Sequence, residues 1–322
     1  MKRILRSIFL WVVLFPLLTL QAGAEELLIP VGRIIGLQLR SDTITVVAYD
    51  DTLGDTARHA GLKIGDEIIK IDGTPMDSAE EIRRALDSGG SPVQLTIRRG
   101  SKVSTLSVSP AQTEEGPRLG VYLRQGIAGI GTVTFYDPDT GRFGTLGHGV
   151  NDARGGLLQM TRGSAFEARI LSVKKGKCGD PGQLKGNADT PEALGTLLRN
   201  TPQGVFGICK QGWKGQPIPT ACYEEITAGP AVIRCQVAGD SVQEYSVALL
   251  KIYPQDRSDG RNFLLRITDP MLLETTGGIV QGMSGSPIIQ NGKIVGAVTH
   301  VLVNDPTMGY GIYIENMLDA AG

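Results

Sequence analysis

The stretch GMSGSPIIQNGKIVGAVTH, residues 282–300, sets Ser284 and Ser286 in a turn of glycines and proline just ahead of two apolar runs. A serine hydroxyl is a poor nucleophile until a base removes its proton as it attacks. Histidine is the usual base, because its pKa lies near working pH. The chain has three histidines, His59, His148 and His300. His148 stands in TLGHGV, between Gly147 and Gly149 at the end of a strand-like run. Glycine on both sides lets another backbone or a substrate come close. A tight Gly-x-Ser turn can aim the N–H groups of Gly282 and Ser284 at one point, where they would meet the oxyanion of a tetrahedral intermediate. Gly285 keeps the approach open and Pro287 stiffens the exit into the next strand. Ser286 reads as a residue that hydrogen-bonds its own turn. His59 reads as a surface residue. His300 lies on the second strand of the hairpin.

These residues need strands to hold them. Asn291-Gly292 marks a tight hairpin between two apolar runs. GIGTVTFYDPDTGRFGTLGHGV (129–150) reads as another hairpin that ends on His148, and AVIRCQVAG, EYSVALLKIY and NFLLRITD are further strand candidates. TPEALGTLL (190–198) reads as a short helix. So many strands after residue 120 predict a sandwich or a pair of closed barrels. Residues 27–112 read as a separate unit. GRIIGLQL and DTITVVAYD are strands, HAGLKIGDEIIKIDGTPM is turn, strand and turn, and a hairpin closes around Gly100-Ser101. DSAEEIRRAL (77–86) is a helix capped by Asp77 or Ser78, with Ile82, Ala85 and Leu86 on one face. A polar link containing TEEGPRLG joins the two parts.

With 32 basic and 33 acidic residues, the net charge of -1 gives no electrostatic case for a nucleic-acid partner. Lys2, Arg3 and Arg6 precede an apolar run over residues 7–20, and Ala22-Gly23-Ala24 fits a small-x-small cleavage site. Residues 1–24 therefore read as an export signal, cleaved or retained as an anchor, and the rest of the chain is expected outside the cytosol. In that setting Cys178, Cys209, Cys222 and Cys235 are expected to form one or two disulfides, with free buried thiols as the other reading. No close cysteine pair suggests a metal site, and no cofactor is called for.

AGLKIGDEIIKIDG resembles the signature of a PDZ domain, which implies a peptide-binding unit over residues 27–112. The resemblance puts the peptide-accepting loop and strand at Ile35, Gly36, Leu37 and Gln38, where a ligand strand would pair with the sheet edge. GMSGSPIIQNGKIVGAVTH resembles the nucleophile segment of chymotrypsin-like serine peptidases, and GTLGHGV their histidine segment. With a PDZ domain ahead of the peptidase and ITDPMLLETTGGIVQGMSGSP leading to the serine, the chain resembles the SpoIVB (stage IV sporulation protein B) peptidase family. The fold expected is mainly β: a PDZ domain followed by a chymotrypsin-like double β-barrel over residues 120–322. The resemblance implies a triad of Ser284 as nucleophile, His148 as base and Asp269 as acid, with Asp180, Asp189 and Asp240 as rival acids and a turn or helix cap as the other role for Asp269. It further implies peptide substrates, among them a membrane-bound regulator of an intramembrane protease and the chain's own amino-terminal segment. An exported scaffold that no longer cuts and an envelope quality-control protease are the alternatives.

Overall fold

The computed structural model describes residues 26–152, 154–188, 192–257 and 259–322. The export signal, Asp189 and the start of the 190–198 segment lie outside the described residues. The chain is mainly β. Strands β1 (Leu27–Pro30) and β2 (Ile34–Arg40) are followed by β3 (Ile44–Tyr49), α1 (Gly54–His59), β4 (Glu67–Ile71), β5 (Thr74–Pro75), α2 (Ala79–Ser88), β6 (Val93–Arg99), β7 (Lys102–Val108) and β8 (Val121–Arg124). Next come β9 (Ile127–Tyr136), β10 (Arg142–Thr145), β11 (Arg162–Glu167), the hairpin β12 (Arg169–Lys174) and β13 (Gln183–Asn187), then β14 (Gly195–Thr201), β15 (Gly204–Cys209) and β16 (Ile218–Pro219). The last third holds β17 (Gly229–Cys235), β18 (Gln243–Ile252), β19 (Phe263–Ile267), α3 (Pro270–Thr276), β20 (Pro287–Gln290), β21 (Lys293–Leu302), β22 (Asp305–Tyr313) and α4 (Ile314–Ala321).

The described strands make two closed barrels, one open sheet and the separate two-stranded hairpin β12-β13. The first barrel runs β2-β9-β10-β15-β14-β11 and closes where β11 returns to β2. The second runs β17-β18-β19-β22-β21-β20. Closure leaves neither barrel a free edge. Between β2 and β9 in sequence lies the PDZ-like sheet, ordered β7-β6-β4-β3-β8, with α2 packed on it. Ser78 caps α2 by accepting from the Glu81 N–H, and Ile82 and Leu86 are buried beneath it. Asp66, fully buried, receives both the Arg99 guanidinium and the Lys63 amide and so fixes the Gly65-Asp66 turn.

The PDZ-like unit is inserted into the first barrel and does not precede it. Strands β2 and β9 pair from Ile34↔Thr132 to Leu39↔Ile127, and the whole unit leaves and re-enters at the open end of that pair. This corrects the boundary at residue 112, because β8 completes the PDZ-like sheet from within the supposed polar link. It also corrects the peptide-binding assignment. Ile35, Gly36, Leu37 and Gln38 pair with β11 on one side and β9 on the other, so no ligand strand can add there. Ile35 and Leu37 are buried in the core of the first barrel with Val133, Phe143 and Val205. The PDZ-like sheet has two edge strands, β7 and β8, and β8 pairs only with β3 among the described residues.

Two further expectations fail for identifiable reasons. Residues 195–198 of the 190–198 segment begin β14 and are not helical, because barrel closure needs a strand between β11 and β15. The four cysteines are free. Cys209 is buried in the first barrel and Cys235 in the second, while Cys178 and Cys222 are exposed.

Placing β2 in the first barrel has a measurable consequence. Leu37→Ala is expected to destabilise that barrel by about 2–5 kcal/mol. Trp213 packs edge-on against Phe143 and Tyr136 in the same barrel. Its fluorescence during urea unfolding should shift to a lower midpoint in the variant. An unchanged midpoint would return Leu37 to the PDZ-like unit.

Candidate active site

The nucleophile turn is built by the segment between β19 and β20. Helix α3 begins with Asp269 as N-cap and Pro270 in its first turn, and ends at Gly277 in the left-handed conformation. The chain then runs through Gln281, whose carbonyl accepts from Leu184 at 2.8 Å and whose N–H donates to Gly182 at 2.9 Å. The inserted β12–β13 hairpin thus holds one end of the turn. The other end is held by β21, where the Gly285 N–H donates to the Val298 carbonyl at 2.8 Å. Ser286 is fully buried and its hydroxyl donates to the Met283 carbonyl at 2.7 Å.

Strand β9 of the first barrel takes the turn's carbonyls. The Thr132 hydroxyl donates to Gly282 at 2.8 Å, the Thr132 N–H to Ser284 at 3.0 Å and the Thr134 hydroxyl to Gly285 at 2.7 Å. The N–H groups of Gly282 and Ser284 donate to no acceptor among the described residues. Their peptide planes carry the carbonyls of Gln281 and Met283 on the opposite edge, and these are engaged by the Leu184 N–H and by the N–H and hydroxyl of Ser286, so the two amides are left for an incoming oxygen. Gly285 is required twice over. Its φ is +96°, and a Cβ there would overlap the Thr132 carbonyl and approach Leu146 N to 2.5 Å.

The same packing brings up the histidine segment. After β10, Leu146 and Gly147 take φ values of +70° and +68°, a sharp bend that delivers His148 to the junction. For Leu146, a non-glycine residue, this is backbone strain at a functional position. A Cβ on Gly147 would stand 2.8 Å from the Thr299 methyl, so Gly147 packs directly on β21. The His148 and His300 rings lie 5.3 Å apart, centroid to centroid, at an angle of 42°. Nδ1 of His148 is 3.0 Å from the Gly149 carbonyl. A carbonyl can only accept, so Nδ1 carries the proton and Nε2 is the basic nitrogen. The Ser284 hydroxyl donates to the Thr299 carbonyl at 2.8 Å. Its single proton must swing from that carbonyl to His148 before the oxygen can attack.

Asp269 does not join this group. One carboxylate oxygen accepts from the Leu272 N–H at 3.0 Å and the other faces the Ser246 N–H at 3.4 Å. It is a helix cap, the second role open to an Asp-Pro pair. Asp180 pairs with Lys174. Asp240 is exposed and receives Arg33 on its backbone carbonyl. The pKa of His148 is lowered from 6.5, first by burial, with the Gly149 carbonyl opposing, and no carboxylate acts on it. Burial pushes His300 down to about 4, helped by His148 and Arg261, while Asp259 opposes. Both rings are neutral at neutral pH. His59 is exposed at the end of α1, apart from the site. A wide cleft of about 1360 Å³ lined by Val31, Arg169, Trp213 and Arg234 includes Asp240 but not Ser284, His148, His300 or Asp269.

The role of the β9 threonines was not visible in sequence, although TVTF carries them two residues apart on one face, as strand periodicity requires. The β8 edge was hidden in the apparent link; the only hint was LGVYLR, a short alternating run.

Two six-stranded barrels meeting at a serine turn, with a histidine beside it and amides free above it, define a chymotrypsin-like serine peptidase. The chain belongs to the SpoIVB peptidase S55 family, whose model matches residues 115–318, and a PDZ domain model matches residues 56–99. A protein of Bartonella henselae named "Putative zinc metalloprotease" is 32% identical over 84 residues, 26% of this chain and 23% of that protein. Serine protease HTRA1 of Xenopus laevis is 42% identical over 65 residues, 20% of this chain and 14% of that protein. The chain thus spans a quarter or less of the length of these two curated relatives. Among solved structures, the Rv3671c protease from M. tuberculosis in its active form is 15% identical, covering 62% of this chain and 75% of that one with a TM-score of 0.35. The PDZ domain of an SdrC-like protein from Listeria monocytogenes is 26% identical, covering 26% of this chain and 88% of that one with a TM-score of 0.23.

Two outcomes follow from the geometry. A general base must be unprotonated, and a lowered pKa keeps His148 so at more acid pH. The acid limb of a kcat/KM profile is therefore expected below pH 6.5, the ordinary histidine value. A limb at or above that value would contradict the burial of His148. Asp269→Ala is expected to cost about 0.5–2 kcal/mol of stability through loss of the cap, and Asp269→Asn much less, since both Asp and Asn cap well. Both should keep kcat within a few-fold of the parent. A collapse of kcat in the Asn variant at unchanged stability would restore Asp269 to the reaction.

Proposed function

We propose that the chain is an exported serine endopeptidase that works by limited proteolysis in sporulation signalling. Ser284 is the nucleophile and His148 the base that becomes the acid. As Ser284 Oγ bonds to the scissile carbonyl carbon, its proton passes to His148 Nε2. The carbonyl oxygen becomes an anion and takes hydrogen bonds from the Gly282 and Ser284 amides. His148 then gives its proton to the departing amine, leaving an acyl-enzyme. Water repeats the sequence through the same imidazole and releases the acid product. The Gly149 carbonyl keeps the proton on Nδ1 and so preserves the reactive tautomer.

One observation carries this reading: β9 and β21 fix the serine turn on both sides while the amides of Gly282 and Ser284 stay unspent, and a neutral histidine packs at the same barrel junction. Family membership supports the biological setting. The first 24 residues direct export, and the work is done outside the cytosol. The substrates are few and defined: the chain's own amino-terminal segment and a membrane-bound regulator of an intramembrane protease. Their cleavage leads to activation of a late sigma factor.

A fluorophosphonate probe tests the chemistry, and mass spectrometry maps the modified residue. The tag is expected on Ser284 and should be lost in Ser284→Ala. In His148→Ala, turnover of a peptide substrate should fall by at least about 10²-fold, the share left to the base of a triad once its acid is missing. Labelling of another serine would overturn the assignment. Product mapping on a mixed pool of unfolded proteins separates a few defined cuts from general degradation, and the latter would replace limited proteolysis with quality control.

A further inference from the structure

The PDZ-like unit touches the peptidase where His148 begins its next segment. That segment is a small hairpin. The Leu158 N–H donates to the Val150 carbonyl at 2.9 Å, and Asn151 pairs with Leu157. Its base is clamped by Asn200 of β14, which accepts from Val150 N–H at 2.9 Å and donates to the carbonyls of Val150 and Leu158 at 2.8 and 2.9 Å. Near its tip stands Arg154. One guanidinium nitrogen lies 2.6 Å from Glu67 Oε1 of the PDZ-like sheet and 3.6 Å from Asp152.

Glu67 is 4% exposed, and its other oxygen takes Arg98 of β6 at 3.0 Å. It sits at the start of β4, one position in a cross-sheet row in which Thr45 of β3 faces both Glu67 and Arg124 of β8. A recess of about 30 Å³ bordered by Thr45, Val47, Arg124, Asp152 and Leu158 opens beside the pair. That is room for about one water, so the apolar contact between the two units is thin at this point. The ion pair is the directional contact there. The Glu67 carboxylate is buried while Arg154 is half-exposed, so the pair fixes the direction of the contact, and loss of Arg154 would leave that carboxylate with Arg98 alone.

We infer that Arg154, held by Glu67, is a positioning residue for His148: the PDZ-like unit braces the histidine hairpin at its tip, while Asn200 holds its base. The inference rests on the serine peptidase reading only for its effect on rate. If the brace acts, loosening the tip lets the hairpin and the imidazole at its root wander from the serine turn. Catalysis then slows while substrate binding is spared.

Glu67→Gln, Arg154→Ala, Arg154→Lys and the Glu67→Gln/Arg154→Ala double variant test it in the full chain. Removing Arg154 leaves Arg98 on Glu67, so the PDZ-like sheet keeps its buried charge paired. Hydrogen exchange of the amides following His148 is expected to speed up at least threefold in Glu67→Gln and Arg154→Ala, with the sheet of the first barrel unchanged. Fluorophosphonate labelling of Ser284 should slow by about the same factor, and peptide kinetics should show the loss in kcat and not in KM. Arg154→Lys should recover part of each, and the double variant should be no worse than the single ones. Unchanged exchange in both single variants, or effects that simply add, would overturn the brace. Should the parent chain fail to label at Ser284, the peptidase reading falls, and the exchange data still decide whether the brace exists.

Discussion

The site depends on three hydrogen bonds that cross from one barrel to the other. Thr132 and Thr134 of β9 donate to the carbonyls of Gly282, Ser284 and Gly285, and each bond does two things. It seats the second barrel on the first at a fixed register, and it turns a peptide unit of the serine turn. The amides of Gly282 and Ser284 stay unspent, and the carbonyls of their own peptide planes, Gln281 and Met283, are engaged by Leu184 and Ser286. Thr132 is itself fixed from below: its carbonyl accepts from the Thr145 hydroxyl at 2.6 Å and the Leu146 N–H at 3.3 Å. Thr145 and Leu146 lead straight into His148. One residue of β9 therefore sets both the serine turn and the histidine bend, and an error in barrel docking would spoil the two together.

The electrostatics of the site follow from what is absent around His148 among the described residues. In the familiar triad a buried aspartate holds the histidine tautomer and stabilises the imidazolium as it forms. Here a backbone carbonyl holds the tautomer. A carbonyl dipole orients as well as a carboxylate does, but it offers less to a developing positive charge. The neighbouring His300 ring is neutral and adds nothing like a full charge, while Arg261 and Asp259 act on it with opposite signs. Replacing the acid of a triad by a neutral group lowers kcat by about 10⁴ in the template case. A peptidase whose proposed task is a handful of cuts tolerates a slow step that a digestive enzyme could not. The Ser284 hydroxyl adds a second restraint, because its bond to the Thr299 carbonyl must break before attack.

Local sequence carried the parts of this structure that are local. The Asn291-Gly292 hairpin, the capped helix with its Ile82 and Leu86 face, the serine turn and the glycine-flanked histidine are set by residues within a few positions of one another. What failed was partner choice. Ile34–Arg40 is a plain alternating strand, and nothing in its residues says whether it pairs inside the PDZ-like sheet or with β9, some ninety positions on. Proximity in sequence favoured the wrong neighbour. Asp269-Pro270 failed for a related reason. An aspartate before proline is an N-cap signal on its own evidence, and only the family likeness drew it towards His148. The cysteines could not be placed, because disulfide formation needs a Cα separation that spacing along the chain does not reveal.

The insertion explains why a PDZ-like unit can matter to a barrel it does not complete. Neighbouring antiparallel strands are normally joined by a short turn, and here that turn is replaced by a folded domain. Its entry and exit must lie side by side, as they do where Arg40 leaves β2 and Ile127 begins β9. A domain attached at both ends has far less freedom than one hung on a single linker. Its β8 edge runs almost directly into β9, the strand that carries Thr132 and Thr134. The open edge of the PDZ-like sheet and the threonines that hold the serine turn thus lie on one continuous stretch of chain. An amino-terminal domain on a flexible tether would lack that mechanical link.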